Sequence, residues 1–440
     1  MIKFLNKEKI LAIVLCALAI VGCSDNSESL ETENSLYGQT AAPSQSIEHR
    51  SYEEALAVAK HSISLIETGT SMTRGMAKHR TINEKGGVFS VTSSRNQTRS
   101  SGSVDTLLYV FNFNDEQGFA VVSANRYTEG LLAITESGSY QPDKESEIMG
   151  LNDFMERAKE YVQNAPSLTP EGGSYNYWKF KIDTLAYSLI ETKIPVAWGQ
   201  GGIAGKYCSN GTAGCDPIAM ALIMSYYQQP TLFKYTFGNR DINSESVSWS
   251  QINQHIHTSS HPYPFCNGNS NLDKTIGRIC RELGSKSGSS YNSDGSTGTS
   301  PGAMYDVLTY YDYSMPGFHS LPSDENSFMN YLNENKLILM CGYLQNDTGH
   351  FWVVDGGYHI NTHNILYGSQ DEVNWVQYHD WTDNETYNHI NWGWDGLCNG
   401  LFLYKVFNAN SASQYDNATG NHISSDVNFY RWVKYSLVYY

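Results

Sequence analysis

The chain has 440 residues, enough for two or three domains, each with its own core. Charged residues make up 17% of it, below the roughly 25% common in soluble proteins, while aromatic residues reach 13%. With a formal net charge of −16 the chain has no basic stripe, which argues against nucleic acid as a partner.

The N-terminus reads as a targeting segment. Lys3, Lys7 and Lys9 precede the apolar run Ile10–Gly22, which is short for a bilayer span but has the length of a signal-peptide core. The run closes on Ile-Val-Gly-Cys, which resembles a lipoprotein cleavage box with Cys23 as the lipid attachment site; ordinary cleavage nearby is the other reading. A polar, acidic tether then covers 24–47, and a lipid on Cys23 would make a membrane one of the partners.

Folded structure is expected to begin at a helix over Ser51–Glu67. Ser51 and Glu54 form a capping box, and Tyr52, Leu56, Ala59, Ile63 and Ile66 recur at helical spacing. The stretch that follows is polar and rich in Ser and Gly, and reads as partly loop. Three short strands are expected at 107–114, 119–124 and 131–136, the first two separated by an Asp-Glu-Gln-Gly turn. Helical spacing returns over 146–165, completing a small α+β unit that ends near a polar linker at 166–176.

The second unit opens on Ile-Pro-Val-Ala-Trp-Gly-Gln-Gly-Gly, and a helix is expected after Cys215. Pro217 suits a first helical turn, and Ala219, Leu222 and Ile223 supply a buried face. Cys215 therefore stands at the positive end of a helix, which favours a thiolate. Asp216 beside it works the other way. A Gly/Ser-dense loop is expected at 284–303 and a helix directly after it, then strands at 336–343, 350–358, 388–394 and 401–407. Helix early and antiparallel sheet late is an α+β order.

A nucleophilic cysteine needs a base, an orienting group and donors for the oxyanion. His350 and His389 are the two histidines that lead directly into apolar strands, and His350 is the candidate base. Asn391, Trp392 and Trp394 lie where a strand meets a Gly turn and are candidates to orient and shield it. Gln200, among glycines upstream of Cys215, carries an amide suited to the oxyanion. Of eight cysteines, Cys16 leaves with the signal peptide, and the rest form neither a complete disulfide framework nor a zinc-ligand spacing, although one or two bridges fit an exported protein.

Four segments, Trp198–Gln200, Gly214–Pro230, Gly349–Gly357 and His389–Gly396, resemble in order and spacing the streptopain family of papain-like cysteine proteases. The strand–turn–strand pattern from Leu107 to Tyr140 resembles the inhibitory pro-domain of that family. The resemblance implies a papain-like domain over 181–440, with a helical part and an antiparallel sheet part, preceded by a small α+β pro-domain over 48–180. It implies Cys215 as nucleophile and His350 as general base and later acid. Gln200 would join the Cys215 N–H in the oxyanion hole, Trp392 would pack by the imidazole, and Asn391 would share in orienting it. Protein or peptide substrates, the pro-domain as intramolecular inhibitor, and neither metal nor organic cofactor follow from the same likeness. Two departures stand out: Asp216-Pro217 replaces small or apolar residues, and Tyr227 or Gln228 stands where a His is usual. The competing readings are a catalytically silent surface binding protein on the same fold and a Cys-His acyltransferase or amidase.

Overall fold

The computed structural model describes residues 36–37, 48–69, 79–92, 106–165 (without 143 and 145), 175–257 (without 238 and 239), 271–343 (without 294), 349–408 and 432–440. Cys23, the signal segment and most of the tether lie outside the described residues.

The N-terminal unit forms much as its sequence pattern requires. Helix α1 (Tyr52–Gly69) starts on the expected capping box: Ser51 Oγ accepts the Glu54 N–H at 3.2 Å, and Glu54 Oε2 accepts the Ser51 N–H at 2.7 Å. The polar stretch after it contains an edge strand, β1 (Val88–Thr92). Strands β2 (Thr106–Asn112), β3 (Phe119–Ser123) and β4 (Leu131–Thr135) follow as an antiparallel meander. Helix α2 (Met149–Gln163) closes the unit, burying Leu151, Phe154, Ala158 and Val162 along one stripe.

After the linker, β5 (Tyr177–Ile190) runs fourteen residues, a strand that the sequence reading did not anticipate. Helix α3 (Cys215–Tyr227) is buried nearly all round from Asp216 to Ser225, because it is wedged between the sheet and helix α4 (Asn271–Lys286). A short hairpin, β6 (Ser290–Tyr291) and β7 (Thr297–Gly298), occupies the Gly/Ser-rich loop. Helix α5 (Pro301–Tyr310) comes next, capped by Ser300. Strands β8 (Leu337–Tyr343), β9 (Gly349–Ser369), β10 (Trp375–Asn391), β11 (Gly400–Leu403) and β12 (Trp432–Val438) complete the sheet.

The expected α+β class holds for both units, and their strands form one antiparallel sheet. Its order is β12-β8-β9-β10-β11-β4-β3-β2-β1, with β5 paired to the far half of β9. The join is β11 against β4, where Gly400 lies opposite Thr135 and Leu401 opposite Ile134. A Cβ on Gly400 would stand 2.3 Å from the Ile134 carbonyl oxygen, so glycine is required for this approach. The strand expected at 401–407 divides at Leu403: Tyr404–Asn408 turns into a helical segment, α6, because its buried Tyr404, Val406 and Phe407 pack against α2 and the sheet.

Candidate active site

Cys215 is the first residue of α3. Gly214 caps the helix at φ 99°, a conformation that L side chains rarely adopt. The thiol is closely packed while part of the residue's surface stays open to solvent. Burial, and then the charge of Asp216, push it up to about 12. The N–H groups of Phe351, Cys215 and Asp216 are directed at the sulfur and pull the other way.

Phe351 is the neighbour of His350, so strand β9 brings the candidate base beside the candidate nucleophile. The imidazole is fastened through Nε2. It is buried, its Nε2 lies 3.1 Å from the Trp392 carbonyl oxygen, and its ring stacks on Trp352 at 6.1 Å and 22°. Burial lowers its pKa to about 4, opposed only by the carbonyl of Trp392. The ring is thus held neutral, with Nε2 donating to Trp392.

Trp392 stands just past the end of β10 and is fully buried. Its indole N–H donates to the Cys398 carbonyl at 3.1 Å, its backbone N–H donates to Asn399 Oδ1 at 3.0 Å, and its ring meets Trp352 at 5.4 Å and Phe402 at 5.2 Å. Trp392 therefore acts on His350 through its main chain as well as through the aromatic stack. Asn391 is placed elsewhere. Its amide donates to the Val196 carbonyl at 3.3 Å and accepts the Gly393 N–H at 3.1 Å, fastening the turn to the segment before Trp198 and leaving the imidazole alone. The orienting role expected of Asn391 is not what this geometry provides. Gln200 lies beside the nucleophile turn, where its carbonyl accepts the Ala213 N–H at 2.8 Å. Tyr227, at the end of α3, uses its hydroxyl to hold the Asn335 and Val438 carbonyls at 2.6 and 2.8 Å. The five described cysteines are all free thiols, so no bridge involves Cys208, Cys215, Cys280, Cys341 or Cys398.

The first unit grips this site from one side. Gly150, at the start of α2, lies flush on the Trp392 ring, and a Cβ there would come within 2.2 Å of it. Ser137 Oγ donates to the Gly396 carbonyl at 3.0 Å and accepts the Cys398 N–H at 3.2 Å. Lys405 pairs with Glu129 at 2.7 Å. Behind the turn, buried His389 is held at 2.6 Å by Asp355 and at 3.3 Å by Glu136 of the first unit. Sequence reasoning missed this trio, because its members are far apart in the chain and only His389 stood out, as a strand-entry residue.

Residues 195–402 match the Peptidase C10 family, and residues 44–162 match the Spi protease inhibitor family. The C10 match covers a little under half of the chain, and the inhibitor match lies N-terminal to it. Streptopain of Streptococcus pyogenes serotype M28 is 22% identical over 342 residues, covering 71% of this chain and 77% of its own length. The serotype M1 streptopain gives the same identity and coverage. A solved fragment of prointerpain A from Prevotella intermedia is 16% identical, with a TM-score of 0.46, and covers 77% of this chain and 96% of its own. The chain is thus a cysteine-type peptidase preceded by an inhibitor-like pro-domain. In it, the Cys215 turn, the strand carrying His350 and the Trp392 turn converge.

Proposed function

We propose that this peptidase is a latent endopeptidase in which Cys215 attacks the peptide carbonyl and His350 first accepts the thiol proton and then donates it to the leaving amine. The Cys215 N–H and the Gln200 amide would hold the oxyanion, and water would then hydrolyse the acyl-enzyme. The observation that carries this reading is the direction of the Phe351 N–H at the Cys215 sulfur, which fixes the thiol one residue away from the only imidazole on that stretch of β9. The pro-domain favours the latent state by packing Gly150 on Trp392, the residue whose carbonyl occupies His350. With Nε2 donating to the Trp392 carbonyl, Nδ1 is left to take the thiol proton. The same proposal includes export and a lipid on Cys23, with the folded part tethered to a membrane; fatty-acid labelling that disappears in Cys23→Ala tests that part.

The test is incubation of residues 24–440 under reducing conditions beside the Cys215→Ala form, followed by mass spectrometry. Conversion of the wild type alone to a shorter form, with Cys215 labelled by a peptide epoxide, is the expected result. If neither form converts, cleavage by a trypsin-like enzyme supplies the processed chain. A processed wild type that neither labels nor hydrolyses casein would favour a silent binding protein.

A further inference from the structure

Asp216 is an odd choice beside a nucleophile, because a negative charge there opposes the thiolate. Its placement is nevertheless built. The side chain is fully buried, and Oδ2 accepts two hydroxyls, Ser287 Oγ at 2.9 Å and Ser289 Oγ at 2.7 Å. Those serines follow α4 and lead into the β6–β7 hairpin, and their hydroxyls lie 2.9 Å from each other. The far end of the hairpin reaches the same turn: a Cβ on Gly214 would stand 2.8 Å from Thr297 Cγ2 and 3.0 Å from Asp216 Oδ1. Asn210, just upstream, donates to the Asn292 and Ser296 carbonyls at 3.2 and 3.1 Å. The second carboxylate oxygen, Oδ1, is buried and accepts no hydrogen bond. A carboxylate left half-satisfied costs free energy, and an apolar residue would fill the space without that cost.

We propose that Asp216 is a positioning residue for this peptidase, pinning the β6–β7 hairpin against Gly214 as one wall of the cleft and tying the ionisation of Cys215 to its own charge. The inference rests on Cys215 being the nucleophile. Two effects follow from one carboxylate. The Ser287 and Ser289 hydroxyls fix the hairpin beside the Gly214–Asp216 turn. Burial raises Asp216 to about 6, with the Ser289 and Ser287 hydroxyls holding it back, so its charge changes within the range in which a peptidase works. Above that range the carboxylate opposes the thiolate, and below it the opposition is gone. The other titratable groups around it are Cys215 on its own helix and Cys208 on the preceding loop. Arg281 of α4 and Tyr291 of β6 face Cys208 in turn.

The experiment is native-state alkylation of the full chain with iodoacetamide from pH 4.5 to 9, read as the rate at Cys215 by peptide mass spectrometry. The wild type, Asp216→Asn and the Ser287→Ala/Ser289→Ala double variant are compared. Asp216→Asn is expected to alkylate about three- to tenfold faster at pH 7 and to lose the inflection near pH 6, since the amide keeps an oxygen for the serines but has no charge. The double variant is expected to keep the inflection, though displaced to higher pH, and in the processed form to raise KM for peptide substrates more than it lowers kcat. A profile of Asp216→Asn superimposable on the wild type overturns the charge role, and an unchanged KM in the double variant overturns the wall. A processed wild type with no alkylation at Cys215 and no hydrolysis of casein instead overturns the nucleophile assignment itself, and this inference with it.

Discussion

His350 and His389 sit on adjacent strands, both nearly sealed from water, and their surroundings drive them in opposite directions. His350 has a carbonyl and an aromatic stack for company, so burial wins and holds its pKa near 4. For His389 burial also opposes charge, but Asp355 and Glu136 outweigh it and raise the pKa to about 10. The difference shows that burial decides nothing until the partner is named. The proposed base would have to become an imidazolium during catalysis, and its surroundings oppose that charge, while His389 is held as a cation by its two carboxylates. One of the carboxylates that charge His389, Glu136, belongs to the pro-domain, whose α2 also covers the Trp392 turn that His350 donates to. Latency and the charged trio thus share one interface.

The largest test of this contrast is a pair of substitutions. His350→Ala is expected to reduce peptidase activity of the processed chain by about 10⁴-fold or more, as loss of a member of a catalytic unit does, with only about 1–3 kcal/mol lost from the stability of the latent chain for the cavity and the unpaired Trp392 carbonyl. His389→Ala should do the reverse. It leaves Asp355 and Glu136 buried without their cation, a loss on the order of 3–5 kcal/mol that a urea titration of the latent chain would read. An activity loss in His389→Ala matching that of His350→Ala, in protein shown to be folded, would erase the distinction.

The pH dependence sharpens it. A histidine whose folded pKa is raised contributes stability that is fully present below its unfolded value near 6.5 and fades as pH rises through the folded value, about 10 for His389. The grip of the trio should therefore weaken between about pH 6.5 and 10. For His350 the folded value is depressed, so its stored neutral form is stable above about 6.5 and is lost as pH falls towards 4. Stability of the latent chain should fall on both sides. In His389→Gln the alkaline limb should flatten, and in His350→Ala the acid limb should, when Tm is followed from pH 4 to 10.

Much of this was legible in the sequence where a short-range rule applies. The capping box at Ser51 and Glu54, the meander over β2–β4, and the placement of Cys215 at a helix start next to Gly214 each depend on neighbouring residues. What was missed depends on residues far apart. The long β5 strand is an alternating Trp178, Phe180 and Ile182 pattern that makes sense only once β9 lies beside it. The role given to Asn391 came from likeness of segments, and its contact with Val196 is set by a segment nearly two hundred residues earlier. The contact of His350 with the Trp392 carbonyl joins residues 42 apart, and no pattern local to β9 encodes it.

The smallest expected effect is also the most specific. Glu136→Gln keeps the shape of the side chain and removes only its charge, leaving His389 to Asp355 at 2.6 Å. The Glu136 backbone still donates to the Asn399 carbonyl at 2.7 Å, so the β4–β11 join survives. The cost should be on the order of 1–3 kcal/mol, much less than for removal of the imidazole, because one carboxylate still balances the cation. Since Glu136 is in the pro-domain and His389 in the peptidase, that cost falls on the contact between them. The full chain carrying Glu136→Gln should therefore convert to the processed form several-fold faster under limiting trypsin, with unchanged casein hydrolysis after processing. The acceleration should shrink as pH approaches 10, where His389 loses its proton and Glu136 has nothing to hold. An acceleration that stays constant across that range would mean that Glu136 restrains the pro-domain through its shape rather than its charge.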